Sequence, residues 1–135
     1  RPSLCGRDLR GEAGAGHPAP AREAAMPQIT VDHSAPFDRR AFALDLHGLV
    51  AETVRTSVGN CKTRFREVAE TVVGDGTTDA AMVNVEIALA FGRTDVLKAH
   101  LAQGVLALLT RHLKGAEGVR LAVEVRDLES AYRKA

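Results

Sequence analysis

From residue 81 to residue 91 the chain alternates without a break. Ala81, Val83, Val85, Ile87, Leu89 and Phe91 fall on one face, and Met82, Asn84, Glu86, Ala88 and Ala90 on the other. A period of two this long specifies a strand with one face in the core, and such a strand needs neighbouring strands and a layer to cover its apolar side. The residues after Phe91 supply both. Gly92 breaks the alternation, Thr94 offers a helix cap, and Leu97, Leu101, Val105, Leu108 and Leu109 recur at helical spacing to about Gly115. A further strand is predicted over Val119 to Asp127.

The preceding part of the chain repeats this order. Ile29, Val31 and His33 alternate against Gln28, Thr30 and Asp32, which predicts a strand from Pro27 to His33. Asp38 can cap a helix whose stripe is Phe42, Leu46, Leu49, Val50 and Val54, running to about Ser57 and stopped by Val58-Gly59-Asn60. A strand is expected over Lys62 to Val73, with a turn at Gly74-Asp75-Gly76-Thr77. The fold class is therefore α/β: two consecutive βαβ units forming one four-stranded mixed sheet, with both helices on one face. The other face would stay uncovered, and Met82, Ala88 and Ala90 make it too apolar to be fully wet, so oligomerisation is expected.

Composition removes several functional classes. A net charge of +1 gives no broad positive field for nucleic acid or an anionic membrane. No apolar run approaches the roughly 20 residues needed to cross a bilayer, and no secretory signal is recognisable, so a cytoplasmic location is expected. Cys5 and Cys61 are far apart and form no metal-spaced cluster; they read as free thiols. His47, His100 and His112 fall on helices without a partner at ligand spacing, and no phosphate-loop, nucleophile-elbow or zinc-helix signature is present. Asp32 and His33 point to opposite faces of their strand and make no acid/base pair. Neither metal nor nucleotide chemistry is expected.

Ahead of the first strand, the stretch from Arg10 to Arg22 is rich in Gly, Ala and Pro and carries no apolar period. Residues 1–25 are expected to be a disordered tail, upstream of a translation start at Met26, with residues 26–135 forming the domain. Pro27 then acquires a chemical meaning. Within a chain its nitrogen is a tertiary amide, whereas at an amino terminus it is a secondary amine with a lone pair. Burial and neighbouring cations lower the pKa of such an amine and favour its proton-accepting form.

With Met26-Pro27 opening a strand, a doubled β-α-β order, Lys62-Thr63-Arg64 at the second strand and Phe91-Gly92-Arg93 between the long strand and second helix, residues 26–127 resemble the tautomerase superfamily. Within it, they resemble the 5-carboxymethyl-2-hydroxymuconate Δ-isomerases of homoprotocatechuate degradation. The resemblance implies that Pro27 is the base and that Arg93 binds a substrate carboxylate, with Arg64 or Lys62 as the second cation. Lys62 stands where the family can have an arginine, and lysine lacks the planar fork of a guanidinium. The resemblance further implies a small-molecule carboxylate substrate, no cofactor, and a homotrimer with active sites where subunits meet. Read from the residues alone, Arg93 is a helix-flanking charge, and Lys62, Arg64 and Arg66 are a solvated strand face. A keto-enol tautomerase, a dehalogenase or decarboxylase relative, and a noncatalytic ligand-binding module are the alternatives.

Overall fold

A computed structural model of the chain describes residues 27–78 and 80–133. The tail expected over residues 1–25, together with Met26 and Cys5, lies outside the described residues. Among the described residues, four strands and two α-helices follow in the order β1 (Gln28–His33), α1 (Arg39–Val54), β2 (Lys62–Glu67), β3 (Ala81–Leu89), α2 (Asp95–His112) and β4 (Val119–Asp127). They form one four-stranded sheet in the order β2-β1-β3-β4. The outer pairs β1/β2 and β3/β4 are parallel, each joined by its own helix, and the two units meet along the antiparallel pair β1/β3. This is the expected mixed sheet.

Both helices cover the face that carries Ile29, Val31, Val83, Val85, Ile87 and Leu89, all nearly inaccessible to solvent. α1 sends down Phe42, Leu46, Val50 and Val54, one residue per turn, and α2 sends down Leu101, Val105, Leu108 and Leu109. Asp38 accepts from the Ala41 backbone N–H and Thr94 from that of Leu97, so both expected caps are made. A side-chain contact at the surface, His112 Nε2 to Asp45 Oδ2 at 2.9 Å, ties the two helices together.

Several boundaries differ from expectation. α1 stops at Val54 because Arg55 turns into the left-handed region (φ 61°, ψ 50°) and returns its N–H to Ala51; Val58–Asn60 forms a separate 3-10 turn. β2 ends at Glu67, well before Val73, because its neighbour β1 ends there: His33 pairs with Glu67, and Val68 makes a last bond to the His33 carbonyl. β3 ends at Leu89, two residues before Phe91, which is exposed in the turn beyond the strand.

The sheet face opposite the helices is more polar than its small apolar residues suggested. Arg66 forms a forked pair with Asp32 (2.7 and 3.2 Å), and Arg126 pairs with Glu86 (2.7 Å). Ala88 and Ala90 are already buried within the single chain, at 3% and 7% exposure. Only Met82 of the three is left partly exposed, so their apolarity does not by itself demand a partner.

Candidate functional site

Pro27 is buried and lies immediately ahead of β1, a central strand. The first residue of β1, Gln28, pairs with Lys62 at the start of β2 and with Ala88 near the end of β3. Leu89 in turn pairs with Asp127 at the end of β4. Strand register therefore gathers Pro27, the start of β2, and the ends of β3 and β4 at one end of the sheet. The Phe91-Gly92-Arg93 turn belongs to the same end, and Gly92, at φ 105°, supplies the left-handed backbone that lets β3 turn into α2 there.

The four residues singled out by sequence share this end, each held in its own way. Arg93 donates from Nη1 to the Ala90 carbonyl (3.2 Å) and from Nη2 to the Val54 carbonyl (3.3 Å). The second bond satisfies a carbonyl at the C-terminus of α1, where a cation is favoured by the helix dipole. Arg64 lies on the sheet face away from the helices and donates from Nη2 to the Thr30 hydroxyl (3.1 Å). Lys62 is exposed on that same face, across from Gln28, and makes no ion pair with a described residue. Arg66, the next along, is committed to Asp32, and this pairing raises its pKa.

On the helix side of β2, Thr63 Oγ1 lies 2.8 Å from His47 Nε2, and the thiol of Cys61 points at the carbonyls of His47 and Ser57 (3.8 Å each). Burial lowers the pKa of His47 and raises that of Cys61, so both are held towards their neutral forms. A raised thiol pKa disfavours the thiolate, and Cys61 is thereby a poor nucleophile. No group of three His, Cys, Asp or Glu among the described residues is placed to hold a metal ion. No described helix is long and apolar enough to cross a membrane.

Two residues at this end carried no signal in the sequence. Gln28 Nε2 donates to the hydroxyl of Tyr132 at 3.3 Å, across a separation of 104 residues. Gln28 lies directly beside Pro27, but nothing local announces that a C-terminal tyrosine returns to it.

No family model matches the chain, and no curated protein does. Among solved structures, it is similar to a 5-carboxymethyl-2-hydroxymuconate isomerase from Deinococcus radiodurans R1, with a TM-score of 0.73 and 20% identity over 84% of this chain and 92% of that one. A 5-carboxymethyl-2-hydroxymuconate delta-isomerase superposes with a TM-score of 0.72 at 12% identity, over 84% of this chain and 89% of that one. A fused 4-OT described as a wild-type symmetric trimer gives 0.63 at 18% identity, over 75% and 86%. At these TM-scores and coverages the chain and these proteins share one architecture: it has a tautomerase-like fold.

Proposed function

We propose that this chain is a cofactor-independent isomerase acting on 5-carboxymethyl-2-hydroxymuconate or a similar 2-hydroxymuconate-type polycarboxylate, with the amine of Pro27 as general base. The observation that carries this reading is the placement of a buried proline at the head of a central strand, at the sheet end where Lys62, Arg64 and Arg93 also lie. Chemistry at that nitrogen requires a free secondary amine, so the working form begins at Pro27, with Met26 removed.

Neutral Pro27 takes the proton from the 2-hydroxyl of the dienol. As that O–H bond breaks, the 2-oxo group forms, the double bonds shift, and the proton returns to C5 to give the 2-oxo-3-ene product. Arg93 and a second cation, Arg64 or Lys62, orient the carboxylates and stabilise charge on the enolate. A well-placed donor of this kind contributes about 2.7–4 kcal/mol to the transition state. Arg64 and Arg93 each donate to separate groups of their own chain; assembly of the site between subunits of a homotrimer fits this reading, and a solved neighbour is itself a symmetric trimer.

A second reading, a keto-enol tautomerase on the same fold, draws on Lys62. An ammonium there holds a carboxylate as a point charge and selects less sharply for a diacid. Two forms of the protein, beginning at Arg1 and at Pro27, decide the mechanism when ultraviolet loss of a 2-hydroxymuconate substrate is followed. The short form should turn over and lose most activity as Pro27→Ala; equal rates for the two forms would refute the proline base. Phenylpyruvate offered to the short form separates the second reading from the first.

A further inference from the structure

Beyond β4 the chain does not leave the sheet. Leu128 donates its backbone N–H to the Leu89 carbonyl (2.6 Å), prolonging the β3/β4 ladder, and the chain then turns, closed by the Tyr132 N–H on the Glu129 carbonyl (2.9 Å). Arg133 Nη1 clasps this turn through the carbonyls of Ser130 (3.1 Å) and Tyr132 (2.8 Å). The turn starts from the edge strand β4, yet the Tyr132 ring reaches back to Gln28 on β1, two strands or about 10 Å away. The row it spans on the helix-free face is Lys62, Gln28, Ala88 and Arg126, set by register. Ala88, between Gln28 and Arg126 in that row, is small and only 3% exposed.

The direction of the Gln28–Tyr132 bond matters. The amide N–H of Gln28 donates to the phenolic oxygen, so the hydroxyl proton of Tyr132 must be offered elsewhere. On the far side of Gln28 in the same row stands Lys62, exposed and without a carboxylate among the described residues. An anionic oxygen lying over Gln28 would meet an O–H from one side and an ammonium from the other, one residue along from Pro27.

We propose that Tyr132 is a substrate-binding residue, whose hydroxyl donates to a carboxylate oxygen held between it and Lys62, with Gln28 as the residue that positions it. This rests on the reading of the site as one for a polycarboxylate, and it gives Lys62 a role separate from that of Arg64. The C-terminal turn is then part of the site.

Tyr132 is the single tyrosine of a chain without tryptophan, so its fluorescence reports on this place alone. Titrating adipate, a transparent dicarboxylate, into the form beginning at Pro27 should change tyrosine emission saturably. Calorimetry should find adipate bound about tenfold more weakly by Tyr132→Phe and by Lys62→Met, and KM for the substrate should rise by a similar factor in both with kcat less affected. Pro27→Ala should lose turnover yet keep the adipate response. Unchanged emission with adipate, or Tyr132→Phe with unaltered adipate affinity, would overturn the proposal. If the unsubstituted protein turns over no enol but adipate still shifts its emission, the isomerase reading fails and the Tyr132 site stands.

Discussion

Replacing Arg93 by alanine should have two separable consequences, because its guanidinium both holds the fold together and lies at the sheet end with Pro27. Structurally, the change deletes bonds to the carbonyls of Val54 and Ala90. A bond from a charged donor is worth about 1.5–3 kcal/mol where buried. Arg93 is only part-buried, so solvent takes over some of this, and a combined loss of about 2 kcal/mol is expected, the helix-terminus term of about 0.3–1 kcal/mol included. For a domain of this size that lowers Tm by roughly 10 °C. Arg93→Lys, able to reach one carbonyl but not both, should lose about half as much. Thermal unfolding at one fixed protein concentration measures this, since the proposed trimer would make Tm concentration-dependent. Kinetically, the role proposed for Arg93 as a transition-state donor predicts a fall in kcat/KM of about 100- to 1000-fold at temperatures where the variant is fully folded. An unchanged Tm would refute the capping account, and an unchanged kcat/KM in the folded variant would remove Arg93 from the site.

Three further outcomes rest on local geometry. Gly92→Ala should destabilise by about 1–3 kcal/mol through its φ of 105° alone, since the space beside it is open, and should impair turnover in step with Arg93 variants; urea melts and initial rates test both. Arg55→Gly should raise Tm by a few degrees, because a non-glycine residue in the left-handed region costs about 1–2 kcal/mol at the end of α1. His47 has its pKa lowered by burial, so the unfolded chain binds its proton more readily: stability should fall as pH drops below the ordinary histidine value of about 6.5, by under about 1.4 kcal/mol per pH unit. His47→Gln should flatten that slope between pH 7 and 5, and an identical slope would assign it to another group.

Whatever depends on local pattern was legible before the structure. The limits of β4, the caps Asp38 and Thr94, and the stripes of both helices rest on period and capping chemistry, and they stand as read. What depends on a neighbour was not. Lys62 to Val73 is rich enough in branched residues to read as one strand, yet β2 stops at Glu67 since β1 offers no partner beyond His33. Arg93 was legible as a residue near the site, but its bond to Val54, 39 positions away, is a product of how α1 comes to rest. Tyr132 lies in a C-terminal stretch with no motif, and only the closing of β4 onto β3 carries it to Gln28. Met82, Ala88 and Ala90 lie along one stretch of the chain, whereas the ion pairs of the open sheet face join residues on different strands.

The antiparallel seam between β1 and β3 relates the two βαβ units by an approximate two-fold axis. Under that rotation the head of β1 maps to the head of β3, at the opposite end of the adjacent central strand, so the topology offers two related positions for a leading residue. In a continuous polypeptide the linker through Val73 and Thr78 feeds into the second position, and its nitrogen is always an amide. In the proposed working form, beginning at Pro27, the two halves would match in topology and differ in reactivity, the asymmetry coming from the one nitrogen released from a peptide bond.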